Sequence, residues 1–166
     1  MKAWYLIYCK PRQETLAKEN LEQQGYTTYL PMISVRRRKA GKRVSVAAAM
    51  FPRYFFIQLS EQTDDWRPIR STFGVSSLVR FGQIPAKVPE ILISDLKRHE
   101  DESGLFVLVA PDFVEGDKVR IAEGIFEGHE AIFICKSGQD RVSLLLNALQ
   151  KSTNIELEQG FIEKFT

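Results

Sequence analysis

The chain has 166 residues, 44% of them hydrophobic and 27% charged, the balance of a soluble globular protein of one domain or two small ones. No apolar run approaches the ~20 residues of a membrane-spanning helix, and residues 3–9 lack the longer core and cleavage site of a signal peptide. The net charge of +2 is unevenly placed: residues 1–100 hold 17 Lys and Arg against 9 Asp and Glu, residues 101–166 hold 6 against 12, which predicts two domains with the basic one facing nucleic acid.

Residues 3–9 read as a first strand. Residues 12–24 read as an amphipathic helix, with Pro11 in its first turn, a Leu16, Ala17 and Leu21 stripe, and Gly25 as the stop. A short strand follows at 26–30. Met32 to Val35 leads into the basic run RRRKAGKR at 36–43, placed at a hairpin tip by Gly41 and the following VSV. Next comes MFPRYFFIQL at 50–59, whose strand begins at Tyr54. Strand alternation puts Phe55, Ile57 and Leu59 on one face and Tyr54, Phe56 and Gln58 on the other. One face fills a core. The second face is aromatic too, and it needs a cover.

Asp64 or Asp65 is expected to cap a short helix through WRPIRS, with Gly74 ending it. Val75 to Phe81 reads as a strand, Gly82 to Ala86 as a turn, and Pro89 to His99 as a helix. This order predicts an α+β sandwich of the split βαβ type over residues 1–100. Residues 101–112 read as a linker, and 113–166 as a β-rich second domain. AIFIC at 131–135, RVSLLLN at 141–147 and NIELE at 154–158 suggest strands of a small barrel. The same half carries a helical period: Val119, Ala122, Phe126, His129 and Phe133, then Leu145, Ala148 and Leu149. Glycines 116, 124, 128 and 138 favour the barrel, because glycine is costly inside helices.

Catalysis is not expected. His99 and His129 are the only histidines, neither in a Ser/His/Asp or Cys/His arrangement, and no glycine-rich phosphate loop follows a strand. Cys9 and Cys135 read as buried free thiols. No clustered Cys/His pattern supports a zinc site, and no cofactor is predicted.

Gly116-Asp117-Lys118-Val119-Arg120-Ile121 followed by Glu123-Gly124-Ile125-Phe126-Glu127-Gly128 resembles a KOW domain. Trp4-Tyr5, Phe51-Pro52-Arg53-Tyr54, Asp65-Trp66, Ile69-Arg70-Ser71-Thr72 and Gly74-Val75 resemble the N-terminal (NGN) domain of NusG-type transcription elongation factors. Trp4-Tyr5-Leu6, Pro31-Met32-Ile33, Gly41-Lys42-Arg43, Val79-Arg80-Phe81-Gly82 and Leu144-Leu145-Leu146-Asn147 look like the RfaH-type paralogues of that family.

The resemblance implies a cytoplasmic bacterial antitermination factor, associated with the nucleoid during transcription. It would be a monomer that needs no membrane and binds elongating RNA polymerase. Tyr8, Phe51, Tyr54, Phe56, Phe81 and Leu96 match the surface that docks on the β′ clamp helices. Asp65, Trp66 and Arg67 match the contact to the β gate loop. Lys10, Gln13 and Thr72 match the side facing the non-template DNA strand, with Phe73 beside them for stacking. Leu16, Asn20 and Phe73 depart from the basic residues of that pattern. The run Arg36, Arg37, Arg38, Lys42 and Arg43 suits phosphate contact as well as a solvated tip.

RfaH-type factors also imply a second fold for the C-terminal half, an α-helical hairpin docked over the polymerase-binding face. Ile121, Phe133, Arg141 and Leu145 fit its docking surface. Ala48 and His129 depart from it, and Ala48 stands where the family's interdomain salt bridge has a carboxylate. As a barrel, the half resembles domains that contact a small-subunit ribosomal protein, through Ile121, Ile125 and Phe126. The alternatives are a general NusG that assists Rho and a KOW-containing RNA- or ribosome-binding protein.

Overall fold

The computed structural model describes the backbone of residues 2–107 and 129–165, with side chains for all of these except Glu130 and 153–165. Strand alternation builds its centre. β1 (Lys2–Cys9) and β5 (Tyr54–Ser60) pair antiparallel. Leu6 opposes Phe56 and Tyr8 opposes Tyr54 on one face; Tyr5 opposes Ile57 and Ile7 opposes Phe55 on the other. β2 (Thr27–Tyr29) flanks β5, β6 (Val75–Leu78) flanks β1, and β9 (Lys87–Val88) pairs with Trp4 and Tyr5. β1 and β2 both run antiparallel to β5, hence parallel to each other with β5 between them. That is the expected split βαβ arrangement, joined by α1 (Glu14–Gln23).

Each sheet face has its own core. α1 covers one with Ala17 and Leu21, over Tyr5, Ile7, Cys9, Phe55, Ile57 and Leu59. Gly74, at φ +92°, lets the chain pass so close to α1 that a Cβ there would lie 3.0 Å from the backbone nitrogen and the Cβ of Ala17. The other face carries Trp4, Leu6 and Phe56. It packs against α2 (Glu90–Arg98) through Leu92, Ile93 and Leu96, with Pro89 immediately before the helix.

The basic run forms the expected hairpin. β3 (Met32–Lys39) and β4 (Lys42–Ala49) pair over their whole length. The two-residue turn Ala40-Gly41 has positive φ at both positions, 52° and 78°, the twist that suits a tight hairpin. β10 (Leu105–Phe106) joins β3 in parallel, so part of the segment read as linker is a strand, and Phe106 is buried in the second core. A smaller hairpin, β7 (Arg80–Phe81) and β8 (Ile84–Pro85), occupies the stretch read as strand end and turn.

Two expectations change. The aspartates cap no helix: the turn Ile69–Ser71 is a 3-10 turn preceded by Pro68. Asp64 instead accepts a hydrogen bond from the Ser60 amide at 2.7 Å, and Asp65 pairs with Arg67. The strands expected at 131–135, 141–147 and 154–158 are helical, in α3 (Glu130–Ile134) and α4 (Gly138–Phe165). The reason is tertiary. Val142, Leu145 and Leu149 fall on one helical stripe, and that stripe is buried together with Ile132 and Phe133 on the aromatic sheet face. Strand alternation would turn Leu145 away from Val142. Gly138, counted against a helix, sits at the first position of α4, where its cost is small. The KOW-like motif, including Ile121, Ile125 and Phe126, lies outside the described residues.

Candidate functional site

The aromatic face is assembled from β1, β5 and the turn before β5. Phe51, Phe56 and Leu96 are fully buried. The rings of Phe51 and Phe56 meet nearly perpendicular at 6.0 Å, and Tyr29 stacks on Phe56 at 6.1 Å. Tyr54 and Phe81 are half-buried against the same cluster. Tyr8 sits at the edge, its ring 5.0 Å from that of Tyr54. The six residues expected to dock on polymerase thus lie on or beside one surface. Burial, followed by the neighbouring Tyr8, pushes the Tyr54 phenol above its ordinary pKa, while Arg53 opposes the shift.

Arg53 organises this edge, a role that its residue type alone does not announce. Its φ is 73°, uncommon for a residue with a Cβ. Its guanidinium lies 4.3 Å from the centroid of the Tyr8 ring and donates from Nε to the Cys9 carbonyl at 3.0 Å. The Cys9 amide donates back to the Arg53 carbonyl at 2.8 Å, and the Arg53 amide donates to Glu14 Oε1 at 3.3 Å. The Phe51–Tyr54 turn is thereby tied to the end of β1 and the start of α1. The signal was the motif Phe51-Pro52-Arg53-Tyr54, whose arginine is its polar member.

What covers this face is the chain's own C-terminal half. Ile132, Phe133, Val142, Leu145 and Leu149 share one core with Phe51, Phe56 and Leu96. Phe133 meets His99 at 5.1 Å and Phe106 at 5.3 Å, both nearly perpendicular. Each such side chain withdrawn from water contributes roughly 1.5–3 kcal/mol. At the start of α4 the packing is tight: a Cβ on Gly138 would lie 2.9 Å from Pro52 Cγ.

Among the described residues, Arg141 fastens the cover through main-chain carbonyls. It is 2% exposed. Its Nε donates to the Met50 carbonyl at 2.8 Å and an Nη to the Cys135 carbonyl at 2.7 Å. Burial lowers its pKa below the ordinary arginine value, but a guanidinium stays protonated. Ala48 stands where the RfaH-type resemblance implied a carboxylate, and the acceptors Arg141 meets are the main-chain carbonyls just after β4 and between the two helices. This bond was not visible in sequence, because a carbonyl acceptor has no residue identity.

A second cluster forms where β1 meets α1. The Lys10 amide donates to the carbonyl of Gly74, the neighbour of Phe73, at 2.9 Å, and the Gln13 amide donates to the Lys10 carbonyl at 3.0 Å. Phe73 is 74% exposed, and Asn20 Nδ2 donates to its carbonyl at 3.2 Å. Thr72 is different from what its neighbours suggest. It is buried, donates to the Pro68 carbonyl at 2.9 Å and accepts from Gln24 Nε2 at 2.8 Å. Its hydroxyl is engaged in holding the loop that presents Phe73.

Asp65, Trp66 and Arg67 stand together on a third surface. Arg67 is exposed and forked onto Asp65 at 3.0 and 3.1 Å, which holds that carboxyl below the usual range. Trp66 stacks edge-on against Tyr5 at 4.8 Å and donates to the Ser60 carbonyl. Arg36, Arg37, Arg38, Lys42 and Arg43 are all exposed on the hairpin.

These features define a class: a split βαβ domain with an aromatic sheet face, covered by helices supplied from the C-terminal side of the same chain. The family described as "Transcription termination factor nusG" matches residues 2–97, and the chain belongs to the NusG family. It is 30% identical over 183 residues to the transcription termination/antitermination protein NusG of Thermus thermophilus, with 97% of each protein covered. It is 24% identical over 174 residues to the NusG of Staphylococcus carnosus, covering 98% of this chain and 96% of that one. A solved structure described as "Domain interaction in Thermotoga maritima NusG" is 22% identical, covers 70% of each chain and superposes with a TM-score of 0.44.

Proposed function

We propose that this NusG-family chain is an RfaH-type transcription elongation and antitermination factor whose polymerase-docking face is masked by its own C-terminal helices. The observation that carries the reading is the shared core of Phe51, Phe56 and Leu96 with Phe133 and Leu145. A face that binds a partner and is filled by the same chain makes the two occupants compete. Released, the Phe51, Tyr54, Phe56, Phe81 and Tyr8 surface docks on the β′ clamp helices of RNA polymerase. Asp65, Trp66 and Arg67 meet the β gate loop, while Lys10, Gln13 and Phe73 face the non-template strand. The freed C-terminal half, with its KOW-like motif, refolds as a barrel and contacts a small-subunit ribosomal protein through Ile121, Ile125 and Phe126. Such a protein acts by binding and has no catalytic role.

The test is capture of core RNA polymerase by the immobilised full chain and by its Phe133→Ala, Leu145→Ala variant. Weak capture by the native chain and strong capture by the variant support masking. Equal capture by both removes it. Carbon chemical shifts of residues 138–151 in the polymerase-bound chain report the refolding: helical shifts in the bound state would exclude the barrel.

The second reading is a general NusG that assists Rho, favoured by the names of the relatives and by Asp65-Trp66-Arg67, where RfaH-type chains carry a different pattern. In-vitro transcription with and without Rho separates the two, since an antiterminator opposes Rho and a general factor assists it.

A further inference from the structure

From the β3–β4 ribbon we infer a separate element that enters the major groove of duplex DNA. This rests on the nucleic-acid reading above and gives its basic hairpin a ligand of its own, distinct from the single strand facing Phe73.

The distribution of charge carries the inference. Six cations, Arg36, Arg37, Arg38, Lys39, Lys42 and Arg43, occupy the distal half of a two-stranded ribbon, all exposed. No Asp or Glu occurs anywhere from Gln23 to Ser60, so the ribbon carries no anion to neutralise them. Arg38 lies directly opposite Arg43, and Lys39 directly opposite Lys42. Like charges facing each other across a ladder destabilise a hairpin. A tip kept only for solubility has no need of them.

The pairing also sorts the cations by face. Arg36, Arg38 and Arg43 fall on one side; Arg37, Lys39 and Lys42 fall on the other. A ribbon lying flat on a phosphate backbone would use one charged face. Three cations on each face suit a ribbon with phosphates on both sides, as in a groove. The major groove of B-form DNA, about 12 Å wide and 8.5 Å deep, admits a two-stranded ribbon. At about 3.4 Å per residue, the four residues from Arg36 to the turn extend roughly 13 Å. The Ala40-Gly41 turn therefore reaches the groove floor while the six cations behind it line the ribbon's two faces, toward the phosphates on either side. The deep, narrow major groove of A-form RNA excludes such an element.

The experiment measures binding of the full chain, by fluorescence anisotropy, to a 20-bp DNA duplex, one of its single strands, and an RNA duplex of the same sequence, across a salt series. Six phosphate contacts predict a slope of about −5 for log affinity against log salt, an affinity loss of about a thousand-fold from 50 to 200 mM. Arg38→Gln with Arg43→Gln removes one cross-strand pair. It should bring the slope to about −3.6 and that loss to about a hundred-fold. Circular dichroism should show the variant at least as stable as the native chain, since the removed pair repels.

Phe73→Ala should weaken single-strand binding and leave the duplex slope unchanged. An unchanged duplex slope in the Arg38, Arg43 variant overturns the proposal, and so does tighter binding of the RNA duplex or of the single strand through the hairpin. Capture of polymerase is unaffected by these substitutions, so failure here is distinguishable from failure of the proposed function.

Discussion

Arg141→Ala tests how the cover is fastened. The substitution removes the two donors that serve the Met50 and Cys135 carbonyls at 2.8 and 2.7 Å. The Met50 carbonyl, left buried without a donor, costs about 1–3 kcal/mol, and the part-buried Cys135 carbonyl loses a charged hydrogen bond of about 1.5–3 kcal/mol, so the gross loss is about 2.5–6 kcal/mol. Against this, the variant no longer holds a guanidinium away from water, a penalty large enough to lower its pKa. A net destabilisation of the covered state by about 2–4 kcal/mol follows, or about 30- to 1,000-fold in its equilibrium, at tenfold per 1.4 kcal/mol. Amide hydrogen exchange reads this directly. Residues 138–151 should exchange faster by that factor while the β1 and β5 amides keep their protection. A change below about threefold, or an equal acceleration across the sheet, would falsify the fastening role. Because neither carbonyl carries a full charge, 0.5 M NaCl should leave native exchange in α4 unchanged. An ion pair at the same place would be screened if solvent reached it.

Gly138→Ala places a Cβ against the rigid Pro52 ring; exchange in α4 should accelerate about tenfold or more, with thermal stability of the sheet preserved. Gly74→Ala acts on the other face. It combines positive φ with contact to the Ala17 backbone and should lower stability by about 2–4 kcal/mol in urea unfolding. Phe73→Ala, at a side chain 74% exposed, should leave the melting temperature unchanged and cost about 1–3 kcal/mol in single-strand affinity if a base stacks there. Burial, reinforced by Glu14, raises the Cys9 pKa to about 12. Its folded value lies above the ordinary 9.0, so its contribution is intact below pH 9 and declines as pH rises from 9 towards 12. Alkaline unfolding in that window should be milder for Cys9→Ala, relative to its own stability at pH 7, and the native thiol should resist alkylation at pH 9.

Much of the N-terminal half was legible because its signals are local. The alternation in YFFIQL separated Phe55 and Ile57 from Tyr54 and Phe56, and the structure keeps those sets on opposite faces. Ala17, Leu21 and Gly25 marked a helix and its end, and Gly41 marked the hairpin turn. The C-terminal half was not legible in the same way. Leu144-Leu145-Leu146 satisfies a strand or a helix equally well, and the choice falls to Phe51, Phe56 and Leu96, more than 40 residues away in sequence. Asp64 and Asp65 looked like caps because the side chain suits that role. The Ser60 amide and Arg67 were nearer competitors. Thr72 looked like a surface contact until Gln24 and Pro68 claimed its hydroxyl.

The aromatic face and the helices over it are encoded in a single polypeptide. Occupancy of that face by the helices is therefore unimolecular, and dilution does not reverse it. With no ligand for that face, a cell with ten copies and a cell with ten thousand carry the same fraction of covered molecules. Expression level alone cannot switch such a protein on; only a ligand that distinguishes the covered from the uncovered chain can do so.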